Sequence, residues 1–173
     1  MNNMNYKDFI TDVPNWPAEG VLFKDITPLL ADGQVFNEVM DDLSIMIDNF
    51  DNRIDLIAGI ESRGFIFGAA ASTLTGLGFI PVRKEGKLPP PVEYIDSTKE
   101  YGTEVLEVKA GSGNIIIVDD VLATGGTLRA TEQLLTEAGY YVVGAIVLID
   151  LAYLHSEILI GGKPVLSLIK YDE

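Results

Sequence analysis

Cysteine is absent from the 173 residues, which excludes a disulfide framework and any thiolate metal site. Basic residues are scarce. Twelve Lys and Arg against 26 Asp and Glu leave a formal charge of −14, so a broad nucleic-acid or anionic-membrane surface is excluded and an anionic ligand must be small and met locally. Long apolar runs are missing as well: none approaches the roughly 20 residues that cross a bilayer. The start Met-Asn-Asn-Met-Asn-Tyr-Lys has no apolar signal core, and a soluble cytoplasmic protein is expected. There is one histidine, His155. A metal site needs several convergent ligands, so this lone residue in a peripheral segment is expected at the surface. Repeats, linkers and low-complexity segments are lacking too. What remains is a chain with 47% hydrophobic residues, enough for one α/β domain with a full core and too short for two comfortable ones.

The informative stretch is Ile115 to Leu128, Ile-Ile-Ile-Val-Asp-Asp-Val-Leu-Ala-Thr-Gly-Gly-Thr-Leu. Ile115 to Val118 reads as a strand buried on both faces, because an unbroken apolar run suits the middle of a parallel sheet covered by helices. Asp119 and Asp120 then fall at its carboxyl end, the edge at which open α/β sheets bind ligands. Ala123, Thr124, Gly125, Gly126 and Thr127 follow as a loop of small residues whose backbone N–H groups can close around an anion. From Thr127 the apolar positions Leu128, Leu134, Leu135 and Ala138 suit a helix, ended by Gly139. A phosphate at such a helix start meets unpaired N–H donors and the positive end of the dipole. A Walker loop would need Gly-Lys-Ser/Thr, and a dinucleotide fingerprint would need Gly-x-Gly-x-x-Gly directly after the strand; neither is present. With the acids first and the phosphate loop second, hydroxyls lie over the carboxylates and phosphate in the loop, which describes a ribose 5-phosphate. The plainer alternative is a capped strand followed by an ordinary turn.

Other strand ends carry charge as well. Ile54 to Ile60 reads as a buried strand ending in Glu61-Ser62-Arg63-Gly64, followed by a helical stretch from Phe65 to Leu74. Phe79 to Val82 is a short strand leading into Arg83, Lys84 and Lys87, three of the twelve basic residues within five positions. On so acidic a chain this clustering points to an anionic partner. Residues 88–103, with Pro89-Pro90-Pro91 and few core residues, have the composition of a functional lid or of a passive hairpin loop. Near the amino terminus, Gly20 to Asp25 reads as an extended piece that ends at an N-cap, Thr27, with Pro28 at the first helical position. Phe23 within it is a core residue or an aromatic face for a ligand. Phe36, Val39, Met40, Leu43, Ile47 and Phe50 recur at helical spacing, and Tyr141 to Ile149 and Val165 to Ile169 read as the last strands.

The strand, acid pair and Thr-Gly-Gly-Thr loop together resemble the phosphoribosyl pyrophosphate motif of the type I phosphoribosyltransferases. Val-Leu-Phe-Lys-Asp-Ile-Thr-Pro-Leu-Leu, from Val21, is similar to the hood segment of the adenine phosphoribosyltransferases. Ser-Arg-Gly-Phe-Ile-Phe-Gly, from Ser62, resembles their pyrophosphate loop, and Arg-Lys-Glu-Gly-Lys-Leu-Pro, from Arg83, resembles their basic segment. Glu100-Tyr101-Gly102 matches their catalytic loop, although Ser97-Thr98-Lys99 before it departs from the common Tyr-x-Leu.

Covering nearly the whole chain, the resemblance implies a mainly parallel five-stranded α/β sheet flanked by helices, a hood over about residues 1–30 and a mobile catalytic loop over about 88–103. It implies formation of AMP and pyrophosphate from adenine and 5-phosphoribosyl 1-pyrophosphate, in purine salvage, by a homodimer using Mg2+. Asp119 and Asp120 are implied to take the ribose hydroxyls, with residues 123–127 on the 5-phosphate. Ser62, Arg63, Arg83, Lys84 and Lys87 would hold pyrophosphate, Leu22, Phe23 and Lys24 the base, and Glu100 would handle a proton. The metal would be bound mainly by substrate oxygens, with Asp119 or Asp120 as a possible protein ligand. The family also often has a strained or cis peptide where this chain has Glu61-Ser62. A different purine substrate, or a non-catalytic regulator that senses phosphoribosyl pyrophosphate, are the alternatives.

Overall fold

The computed structural model describes residues 4–99 and 102–173, with the backbone alone at 98, 99, 102 and 103. It divides into two units, Met1–Asp42 and Leu43–Glu173. In the first, a single turn of tight helix, Tyr6–Phe9, precedes strand β1 (Thr11–Pro14), which pairs antiparallel with β2 (Leu22–Asp25) so that Val13 lies opposite Phe23. Helix α1 (Thr27–Ala31) begins one residue earlier than the sequence suggested. Ile26 stands at the cap position, and Asp25 accepts both the Thr27 N–H at 2.9 Å and its hydroxyl at 2.6 Å. A carboxylate two residues upstream thus does what the threonine hydroxyl was expected to do. Asp32 caps the following helix, α2 (Gly33–Asp48), by accepting from Gln34 and Val35. Along α2, Val35, Val39, Met40, Leu43 and Ile47 are buried at steps of one face.

The second unit is built on β3 (Leu56–Ile60), α3 (Gly64–Thr75), β4 (Gly78–Lys84), β5 (Glu93–Lys99), β6 (Gly102–Val108), β7 (Asn114–Leu122), α4 (Gly126–Glu137) and β8 (Tyr141–Leu151), followed by β9 (Leu159–Ile160), β10 (Lys163–Pro164) and β11 (Leu166–Tyr171). The main sheet has the order β11-β8-β7-β3-β4-β6-β5. Its first five members are parallel, the five expected strands; β6 and β5 extend it antiparallel, making seven. Residues 88–103, read as a loop, therefore include a full strand. That strand was hard to see because its alternation runs against polarity: Tyr94 is 71% exposed while Ser97 is fully buried.

Helices cover the two faces because successive strand residues point to opposite sides. Ala58, Ile60, Ile115, Ile117, Ala145 and Val147 share a core with Leu128, Leu134 and Leu135 of α4. On the other face Gly59 and Gly68 let α3 approach β3 so closely that a Cβ on Gly68 would lie 3.3 Å from the Gly59 Cα. Each fully buried Leu or Ile contributes about 1.5–3 kcal/mol. None of the helices, among the described residues, is long and apolar enough to cross a membrane.

His155 departs from expectation. Its side chain is 8% exposed, with Nε2 2.7 Å from Asp150 Oδ1 and Nδ1 2.6 Å from the Ser156 carbonyl. Asp150 lies five residues back, the penultimate residue of β8, with the short helix Ala152–Leu154 between the two.

Candidate active site

In the sheet order, β7 lies beside β3 and β3 beside β4, all parallel, so their carboxyl ends form one edge. Asp119 and Asp120 are still within β7, which pairs with β8 as far as Leu122, four residues beyond the expected apolar run. Asp119 Oδ1 accepts the Asp120 N–H at 2.9 Å. Gly64, the first residue of α3, is pressed against this carboxylate: a Cβ there would come within 2.7 Å of Asp119 Oδ1 and 2.9 Å of the Val118 carbonyl. Burial pushes the Asp119 carboxyl well above the ordinary carboxylate range, and the neighbouring Asp120 charge acts in the same direction. Asp120 is also raised by burial, against the opposing Arg63 guanidinium, whose Nε lies 2.9 Å from Oδ2. Two adjacent acids with elevated proton affinity can both accept and share hydrogen bonds from vicinal hydroxyls.

The loop after β7 ends at Gly125, whose φ of 82° lies in the left-handed region and whose missing Cβ leaves room for Ile158. Gly126 then opens α4, twelve residues long, so the N–H groups of its first turn have no acceptor within the helix. Thr124 is exposed, and Ala123, Gly126 and Thr127 are half-buried around this helix start. All five residues expected at the phosphate are thus contiguous at a helix N-terminus.

Ser62 is exposed in the turn after β3, and Arg63 stands at the cap of α3. The Glu61–Ser62 peptide is cis, as the resemblance implied. Arg83 and Lys84 close β4, and Lys87 is exposed in the turn beyond. Glu61 ties these pieces together: it meets Arg83 Nε at 3.1 Å and Nη2 at 3.4 Å and accepts the Lys84 N–H at 3.0 Å. Burial pushes the Glu61 carboxyl up, but that N–H and the two cations outweigh it and hold the group below its ordinary value. Lys84 Nζ reaches Glu104 at 2.5 Å. Sequence reasoning picked out the cations and missed the carboxylates that orient them, Glu61, Glu104 and Glu107. The only signal for Glu61 was its place beside Ser62 at a strand end.

In the first unit, Leu22, Phe23 and Lys24 are consecutive residues of β2. Lys24 is buried with Nζ 2.7 Å from Asp12, and Phe23 meets Trp16 edge-on, the ring centroids 4.4 Å apart. Neither Asp12 nor Trp16 was singled out from sequence. Glu100 lies outside the described residues. β5 and β6 form an antiparallel hairpin whose pairing reaches Lys99 opposite Gly102.

Residues 26–161 match the family model for the phosphoribosyl transferase domain. The adenine phosphoribosyltransferase of Bdellovibrio bacteriovorus is 43% identical over 168 residues, covering 97% of this chain and all of that protein. The chain belongs to the adenine phosphoribosyltransferase family. Among solved members, the enzyme from Thermoanaerobacter pseudethanolicus superimposes with a TM-score of 0.86 at 39% identity, covering 96% of this chain and 98% of the other. The Saccharomyces cerevisiae enzyme, solved with adenine and an imino-altritol bisphosphate, has a TM-score of 0.82 at 34% identity, covering 94% of this chain and 98% of that one.

Proposed function

We propose that the protein forms AMP and pyrophosphate from adenine and 5-phosphoribosyl 1-pyrophosphate, as a salvage enzyme of the cytoplasm and as a homodimer. The observation that carries this reading is the joint placement, on one sheet edge, of the acid pair of β7, the helix start of α4 and the basic ends of β3 and β4. That edge suits a ligand with hydroxyls between two anionic ends.

N9 of adenine attacks the anomeric carbon as the bond to the pyrophosphate oxygen breaks, and the imidazole proton of the base is lost. Positive charge builds on the ribose ring and negative charge on the leaving group. Asp119 and Asp120 accept the ribose hydroxyls and lie under the developing cation. Residues 123–127 hold the 5-phosphate with backbone N–H groups and the Thr127 hydroxyl. Ser62, Arg63, Arg83, Lys84 and Lys87 receive pyrophosphate with charge-assisted hydrogen bonds. Glu100 takes the proton from the base. Leu22, Phe23 and Lys24 bind adenine, Phe23 offering a ring face and the backbone a donor and an acceptor. With the Lys24 amine tied to Asp12, the reading of the base falls to the main chain.

Mg2+ suits the oxygen donors present. Among the described residues no cluster of three acids or histidines could hold a metal alone, so Asp119 or Asp120 would share the ion with substrate oxygens, a habit of this cation. When bound, it neutralises charge on the leaving pyrophosphate.

Adenine presents an N1 acceptor beside an N6 donor, and 6-oxopurines present the reverse. A backbone donor–acceptor pair fitted to the first leaves buried groups unpaired with the second, a mismatch that can reach about 10⁴-fold. Incubation with phosphoribosyl pyrophosphate, Mg2+ and each purine in turn should give AMP from adenine and little product from hypoxanthine, guanine or xanthine. Comparable turnover of a 6-oxopurine would overturn the substrate and leave the reaction class standing.

A further inference from the structure

We propose that Glu107 is a positioning residue for pyrophosphate: a buried carboxylate on β6 that fixes the basic turn after β4. The proposal rests on the pyrophosphate-site reading above. Residues 85–87 are exposed, and Gly86 has a φ of 75°, so the turn has no apolar anchor of its own. Its anchor comes from across the sheet. β6 runs antiparallel to β4, with Arg83 opposite Glu107 and Lys84 opposite Leu106. Glu107 is only 4% exposed and turns both oxygens to the main chain: Oε1 accepts from Lys87 N at 2.7 Å and Leu88 N at 2.5 Å, and Oε2 from Gly86 N at 3.2 Å.

Three successive N–H groups converging on one anion form a nest, a backbone shape that binds anions. Here the protein fills the nest with its own carboxylate and turns the flanking cations outward. The hold passes on to Arg83, whose Nη1 donates to the Lys87 carbonyl at 3.3 Å while Nε and Nη2 engage Glu61. Downstream, Lys109 Nζ donates to the Pro89 and Pro91 carbonyls, so β6 and the residue after it clamp the turn at two places. Glu107 touches no substrate in this scheme. It acts by ordering Lys87 and Arg83 before the ligand arrives, which removes that ordering cost from binding. A carboxylate is required because all three partners are donors; an amide would keep one acceptor oxygen and set an NH2 against the rest.

The test is calorimetric titration of wild type, Glu107→Met, Glu107→Gln and Lys87→Ala with Mg-pyrophosphate and, separately, with AMP, together with amide exchange at Gly86, Lys87 and Leu88. Glu107→Met should weaken pyrophosphate about tenfold, the scale of one or two lost hydrogen bonds to a charged group, while AMP affinity stays within about twofold. Glu107→Gln should fall between, and the three amides should exchange faster in both variants. In turnover the loss should appear in KM for phosphoribosyl pyrophosphate more than in kcat. If Glu107→Met does not fold, the isosteric Gln variant decides alone by the same comparison. Unchanged pyrophosphate affinity despite faster exchange, or equal losses for pyrophosphate and AMP, would overturn the positioning role. The outcomes separate the two proposals: if Lys87→Ala leaves pyrophosphate affinity intact, the site reading fails, whereas a loss there with none at Glu107 sinks only the present inference.

Discussion

Burying two adjacent carboxylates works against stability, and the acid pair of β7 is therefore kept for its chemistry. Asp119 has a proton affinity raised first by burial and then by Asp120. A raised carboxylate contributes stability that is fully present below its unfolded value, near 3.8, and is lost as pH rises through the folded one. Through this group the wild type is therefore less stable at pH 7 than near pH 4. Asp119→Asn should consequently melt higher than wild type at pH 7, with the advantage shrinking toward pH 4, and calorimetry at the two pH values checks this. The same variant should turn over roughly 100- to 1,000-fold more slowly, the usual cost of removing one preorganised electrostatic group. Near-normal turnover would remove Asp119 from the ribose site. The pair could be found from sequence because the acids, the strand before them and the loop after them are contiguous. Glu61 and Glu107 could not, because their partners lie 19 to 23 residues away and depend on the register of neighbouring strands.

Among the elements, α4 and the β5–β6 hairpin differ in how much of each was legible. The start of α4 was marked by Gly125-Gly126 and by the apolar spacing behind it. At Gly125 a Cβ would meet both an unfavourable φ and the Ile158 side chain, so Gly125→Ala should shift the loop and weaken AMP binding. Thr127→Val, which keeps the shape and removes a hydroxyl, should weaken AMP without lowering the melting temperature; equal affinity of the Val variant would count against the phosphate loop. The β5 arm, within residues 88–103, was read as a lid or passive loop because its inward residues include Ser97 and its outward ones Tyr94. Glu100→Gln should lower kcat more than it lowers affinity for phosphoribosyl pyrophosphate. Identical pH–rate profiles for the two proteins would remove Glu100 from the proton transfer.

At the scale of the whole molecule, the parallel strands were legible as apolar runs, while the order that sets β3 between β7 and β4 was not, since it is fixed by crossovers and not by any local pattern. The charge of −14 explains why the cations gather at one edge: an anionic substrate must be met there against an unfavourable background. A second global feature lies in α3. Its sequence from Gly64 to Thr75 contains no charged residue, yet Ile66 and Leu74 are exposed, and with Ala70 they fall on one helical face at steps of four. An apolar, uncharged outer stripe of this kind suits contact with a second copy of the chain. Sedimentation equilibrium at micromolar concentration should therefore give twice the chain mass of 18.8 kDa. Leu74→Asp, placing a charge where Leu74 is 54% exposed in the isolated chain, should return the protein to the single-chain mass while leaving its fold intact by circular dichroism. A wild-type protein that sediments as one chain, or a Leu74→Asp variant that stays paired, would remove α3 from the dimer contact.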